Sequence, residues 1–210
     1  MDPPRQTLPR FCSALRERLG QLPESAPEVS GEAASVLALL PAEETRFRRP
    51  PGENWPAPPP VVAWLETALS QAQVGPEAAL AAAVSAFASE LVWTFGYPPD
   101  PRWPGLGSSV GFADIIGKSG LLAAADLVVG LTLLAPHTYY PLHAHPAVEL
   151  YLVLSGTAEW TAGPSVAIRP AGSLILHPAQ LPHAMKTHDE PLLALFTWSG
   201  DIRSSSVFVE

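Results

Sequence analysis

The stretch Tyr139-Tyr140-Pro141-Leu142-His143-Ala144-His145-Pro146-Ala147-Val148-Glu149-Leu150-Tyr151 decides how the rest of the chain is read. Residues two apart on a strand project to the same face. His143 and His145 therefore aim together, and Glu149 and Tyr151 share their parity if the chain stays extended. His183 lies further on, in the run 170–185, PAGSLILHPAQLPHAM. Three imidazoles and a carboxylate converging on one point make a site for a first-row transition metal. Mixed nitrogen and oxygen ligation leaves Zn, Fe, Mn, Co and Ni open.

Outward from this stretch the pattern is β from about residue 126. The short runs DLVVGLTLL, AVELYLVLS, GTAEWTA, SVAIRP, SLILH, HAMKT and LLALFTW are rich in β-formers and punctuated by Gly and Pro, which predicts an antiparallel sandwich or barrel. The preceding half reads as short helices separated by proline, since 17 of the 25 prolines precede residue 110. Phe11, Leu15, Leu19 and Leu22 recur at helical spacing up to Pro23. Ser30 is the expected N-cap of a second helix. The run 48–60, RRPPGENWPAPPP, reads as a rigid linker. Pro60 and Pro76 each open a further helix, the second through residue 93, and a loop follows from Gly96. The expected division is a helical region, 1–110, that packs on a barrel, 111–210, carrying all six histidines.

Composition bounds the function. A chain of 210 residues with 47% apolar residues supports a folded core. A net charge of -8 with only two lysines, Lys118 and Lys186, argues against a nucleic-acid partner. No apolar run reaches the ~18 residues of a membrane span. The single cysteine, Cys12, allows no intrachain disulfide and fits the cytoplasm. The expected partner is a small molecule, with a homodimer as the open question of assembly.

The spacing resembles the cupin superfamily. His143, His145, Glu149 and Gly156 match its first motif, and Pro170, Gly172 and His183 its second. One departure is His137, where the family has a glycine six residues before the first histidine; this puts the local turn in question. The resemblance implies a fold that is mainly β with α: a C-terminal double-stranded β-helix, or jelly-roll, barrel behind a helical N-terminal region. It also implies His143, His145, Glu149 and His183 as metal ligands.

Residues 110–200 further resemble the cupin-type dimethylsulfoniopropionate lyases. Tyr140, five residues before His145, followed by His143, His145, Ala147, Glu149 and Tyr151, carries that likeness. It implies a metal-dependent β-elimination giving dimethyl sulfide and acrylate, with Tyr140 as the base. Tyr151 is implied beside the metal, as an exchangeable ligand or a second base. Trp198, and less directly Trp160, would face the sulfonium through cation–π attraction. Tyr140 lies an odd number of residues before His145, so its role requires a bulge or bend near Pro141. His177 is expected behind the ligands, with His137 and His188 in solvent. The competing expectations are another metal-dependent cupin enzyme, a dioxygenase or isomerase, and a non-catalytic metal-holding sensor.

Overall fold

The computed structural model describes residues 3–22, 26–42, 47 and 57–209. Five short α-helices lead the chain: α1 Pro3–Gly20, α2 Pro27–Leu39, α3 Leu65–Gln73, α4 Ala78–Ser85 and the single turn α5 Leu106–Ser109. Ten strands follow: β1 Val110–Ile116, β2 Val128–Leu134, β3 Tyr139–Ala144, β4 Ala147–Ser155, β5 Thr157–Ala162, β6 Ser165–Pro170, β7 Leu174–His177, β8 His183–Thr187, β9 Leu192–Gly200 and β10 Val207–Phe208. They form two five-stranded antiparallel sheets, ordered β1-β2-β9-β4-β7 and β10-β3-β8-β5-β6. This is the cupin jelly-roll that the two motifs imply.

Two cores follow from the strand alternation. Leu131, Leu133, Leu150, Leu152, Leu193 and Leu195 point outward from the first sheet and bury against Phe11, Leu15, Val36, Leu69 and Val84 of the helices. The alternate residues, among them Tyr140, Tyr151, Trp160, Met185 and Phe196, fill the barrel interior. A buried aliphatic side chain contributes about 1.5–3 kcal/mol, so the leucine layer fastens the helices to the sheet. Ser199 adds a hydrogen bond to Glu32 of α2 at 2.7 Å. Among the described residues the helices up to residue 90 form a packing layer and supply no lining to the main cavity.

Several local expectations are corrected. The second helix is capped at Ala26 and starts at Pro27, whose fixed φ suits a first helical position; Ser30 lies inside it. Pro60 opens a 3-10 turn, Pro60–Trp64, before α3. The Pro76 helix ends at Ser85 instead of running to residue 93, because the chain must extend to bridge Thr94 to Phe112. The β region starts at Val110, ahead of the expected residue 126. Gly111, Ala113 and Asp114 had diluted the β signal of β1, but full pairing with β2 holds that strand. The expected linker falls outside the described residues except for 57–60.

Two motif positions explain themselves. Gly156 has φ 79°, and a Cβ there would meet the Pro191 carbonyl oxygen at 2.2 Å, so only glycine fits the turn. His137 also keeps the left-handed conformation, with φ 56°. The departure from glycine thus preserves the turn and bears the strain itself.

Candidate metal centre and active site

β3, β4 and β8 bring the ligand candidates together inside the barrel. Ligand atoms of His145, Glu149 and His183 all lie within 4.8 Å of one another, and all three residues are buried. Each barrel histidine of the motif is oriented by a main-chain carbonyl two residues away. The Nδ1–H groups of His143, His145 and His183 face the carbonyls of Pro141, Ala147 and Leu181 at 2.8, 3.0 and 2.8 Å. That fixes the tautomer and turns each Nε2 lone pair inward.

Glu149 is the hub. Its Oε2 lies 3.0 Å from His145 Nε2 and 3.3 Å from His183 Nε2. The His183 contact lacks hydrogen-bond geometry, and that nitrogen is buried without a partner. Ligand atoms held ~2.1 Å from one metal at near-octahedral to tetrahedral angles lie ~3.0–3.4 Å apart. The spacing, the inward lone pairs and the orphaned His183 nitrogen all fit a divalent cation. His143 stands beside this set, its ring 4.0 Å from that of His183. It is not among the three residues that close within 4.8 Å.

The remaining contacts clamp the carboxylate. Trp198 Nε1–H donates to Glu149 Oε1 at 2.7 Å. Trp160 Nε1–H donates to His177 Nε2 at 3.0 Å, so His177 presents Nδ1–H to Glu149 Oε2 at 3.2 Å. Burial lowers the His177 pKa to about 4 and keeps it neutral. His177 thus sits behind the ligands, as its position suggested. Burial opposes ionisation of Glu149, yet the surrounding imidazoles together hold its carboxyl well below the usual range.

A cavity of about 1080 Å³ opens onto this cluster and is lined by Tyr140, His143, His145, Glu149, Tyr151 and Trp198, among others. That is the scale of a small-molecule site. The bulge that Tyr140 needs is present: β3 slips register against β8 between Tyr140 and His143. The Tyr140 ring stacks on that of His143, and its hydroxyl meets Tyr97 at 2.5 Å. Tyr139 turns to the other side, against Trp103. The Tyr151 hydroxyl lies 3.4 Å from Thr132 Oγ1. Burial pushes both the Tyr140 and Tyr151 phenols well above their ordinary pKa.

Trp198 reaches the cavity with its ring against His145, as expected. Trp160 does not line it: it is buried behind Tyr151 and His177, where its indole N–H is consumed by His177. His137 and His188 are exposed. Tyr97 escaped the sequence reading. It sits in a proline-rich loop without periodicity, yet its hydroxyl links Tyr140 to Ser206 Oγ at 2.7 Å. Burial raises its pKa to about 12.

Fold and buried cluster together define a cupin with a candidate metal site. The family profile of dimethylsulfoniopropionate lyase matches residues 36–194. The chain is 30% identical over 212 residues to dimethylsulfoniopropionate lyase DddQ of Ruegeria pomeroyi, covering 96% of this chain and 95% of that protein. It is 33% identical over 168 residues to a putative dimethylsulfoniopropionate lyase, DddL, of Cereibacter sphaeroides, covering 79% and 68%. The crystal structure of DddQ from Ruegeria pomeroyi superposes with a TM-score of 0.72 at 25% identity, over 100% of this chain and 98% of that one. This chain belongs to the dimethylsulfoniopropionate lyase family.

Proposed function

We propose that the chain is a metal-dependent carbon–sulfur lyase that splits dimethylsulfoniopropionate into dimethyl sulfide and acrylate. One observation carries the reading: a buried phenol, Tyr140, is stacked on a motif histidine at a strand bulge and opens on the same cavity as His145 and Glu149. The substrate is the one in the names of the relatives and the family. His145, Glu149 and His183 are the proposed ligands, with His143 as the fourth and Tyr151 able to enter or leave. A divalent metal drawn from Zn, Fe, Mn, Co and Ni would supply Lewis-acid stabilisation of the negative charge that gathers beside the substrate carboxylate.

The other steps belong to the chain. Tyr140, as the phenolate that a divalent cation held nearby would favour against burial, takes the proton from the carbon next to the carboxylate. The electrons of that C–H bond form the C=C bond, and those of the neighbouring C–S bond leave on sulfur. The sulfonium departs as neutral dimethyl sulfide and needs no acid. Tyr97 donates its hydroxyl hydrogen to Ser206, so it accepts from the protonated Tyr140 and fixes where that phenol points. Trp198 orients Glu149 through its N–H and offers its ring to the cavity. The helical region, 1–110, serves as support for the barrel, 111–210. No helix among the described residues is long and apolar enough to cross a membrane, and the single cysteine suits a cytoplasmic enzyme.

The test is incubation of the purified, metal-loaded chain with dimethylsulfoniopropionate. The reading expects dimethyl sulfide in the headspace and acrylate in solution in equal amounts. Metal-loaded protein that releases neither would contradict it.

A further inference from the structure

Strand β1, in the same sheet as Glu149 of β4, carries a carboxylate onto the cavity wall. Tyr151 of β4 pairs with Phe196 of β9, Phe196 with Gly130 of β2, and Gly130 with Asp114 of β1. These four positions form one row across the sheet, so their side chains share the interior face. Tyr151, Phe196 and Asp114 all line the cavity. Gly130 leaves the gap in that row that the Phe196 ring fills; a Cβ there would lie 2.6 Å from two ring carbons. Asp114 therefore faces the Phe196 ring directly. Phe112, two residues earlier on the same face, extends the aromatic wall to Tyr140, with ring centroids 5.8 Å apart.

The Asp114 carboxylate has no hydrogen bond or ion pair among the described residues. Burial alone raises its pKa to about 6, which still leaves it ionised at neutral pH. Asp114 is half-buried, and its carboxylate opens on the cavity. An ionised carboxylate beside aromatic faces is chemistry suited to a soft, weakly hydrated cation.

We propose that Asp114, with Phe196 and Phe112, is the subsite for the cationic end of a zwitterionic substrate whose carboxylate end lies at the histidine cluster. Three strand spacings, ~14 Å between Cα atoms along the sheet, separate Asp114 from Tyr151. Both side chains project from that face into the same cavity, which Tyr140 also lines. The inference rests on the sulfonium carboxylate reading of the substrate. It also fixes when the contact acts. Elimination turns the cation into a neutral sulfide, so attraction to Asp114 falls off along the reaction. Asp114 thus holds the substrate more tightly than the transition state and does not retain the product.

Asp114→Asn should therefore raise KM ~10-fold while kcat holds or rises. The deciding experiment is calorimetric, on metal-loaded full-length protein. It compares 3-(trimethylammonio)propionate with 4,4-dimethylpentanoate, a carboxylate of the same shape whose tail carries no charge. Wild type should prefer the ammonium compound by ~10-fold or more. In Asp114→Asn that preference should collapse through loss of affinity for the ammonium compound, and Asp114→Glu should restore part of it. Equal binding of the two by wild type, or an undiminished preference in Asp114→Asn, overturns this subsite and leaves the lyase reading standing. Failure of wild type to bind either compound overturns both.

Discussion

Tyr140 stacks on His143, ring centroids 4.0 Å apart and planes 23° from parallel, because strand β3 slips its register between them. In a regular strand the odd spacing from His145 would turn the phenol out of the barrel. Pro141 lies inside the slip and lacks the N–H that an uninterrupted ladder needs. The local chemistry of one proline thus turns the Tyr140 ring onto His143 and into the cavity.

The hydroxyl chain from Tyr140 to Tyr97 to Ser206 should tune the base without creating it. Tyr97→Phe should keep its metal and lower kcat by ~10-fold at most, because it removes the acceptor that positions the Tyr140 hydroxyl. A loss as large as that of a Tyr140 variant, measured by initial rates, would make Tyr97 an equal participant.

Metal retention separates ligands from supports. His145→Ala and His183→Ala should lose the metal by elemental analysis, since each removes an inward lone pair. His177→Ala should keep it with ~10–100-fold weaker affinity, the usual cost of losing an orienting partner. Full occupancy of either ligand variant at limiting metal would remove that residue from the set.

Much of this site was legible because ligand chemistry demands particular residues at fixed spacing. Two short motifs name His143, His145, Glu149 and His183 as candidates; the structure draws His145, Glu149 and His183 together, with His143 beside them. No motif names Tyr97, Thr132 or Asp114, for a physical reason: they reach the cavity through tertiary pairing. Tyr97 lies in a loop, and Asp114 on a strand whose Gly and Ala content masked its β character. Trp160 shows the converse failure. An aromatic in the right half of the chain suggested a substrate wall, but its parity on β5 turns it into the core behind Tyr151.

Asp114 also leaves a signature in stability against pH. Its folded pKa of about 6 lies above the model-compound value of 3.8. The native state therefore favours the protonated form: the stabilisation is full below pH 3.8 and is lost as pH rises through 6. Thr94 and Ser119, which line a small pocket with Asp114, do not titrate; Lys118, Arg203, Glu149, His143, His145, Tyr97, Tyr140 and Tyr151 share the wider cavity. Between pH 4 and pH 7 wild type should lose about 1–2 kcal/mol relative to Asp114→Asn, allowing for partial solvent contact. Paired melting curves should then diverge by about 2–8 °C across that range. Parallel curves would show that Asp114 titrates normally.

His137 bears the strain of a turn that glycine would adopt freely, at φ 56°. Its side chain is exposed, with only a 3.6 Å contact to Asp189. His137→Gly should stabilise the fold by about 0.5–1 kcal/mol, the left-handed penalty less the added freedom of the unfolded chain. Activity should not change. Destabilisation on chemical denaturation would mean that the side chain contributes more than the strain costs.

The most direct test of the account is dimethyl sulfide release from dimethylsulfoniopropionate by Tyr140→Phe, with metal content measured on the same sample. The account predicts wild-type metal occupancy and a rate lower by ~10²–10⁴-fold, the usual worth of a positioned base. Near-wild-type release from fully metal-loaded Tyr140→Phe would contradict it and move proton abstraction to another group.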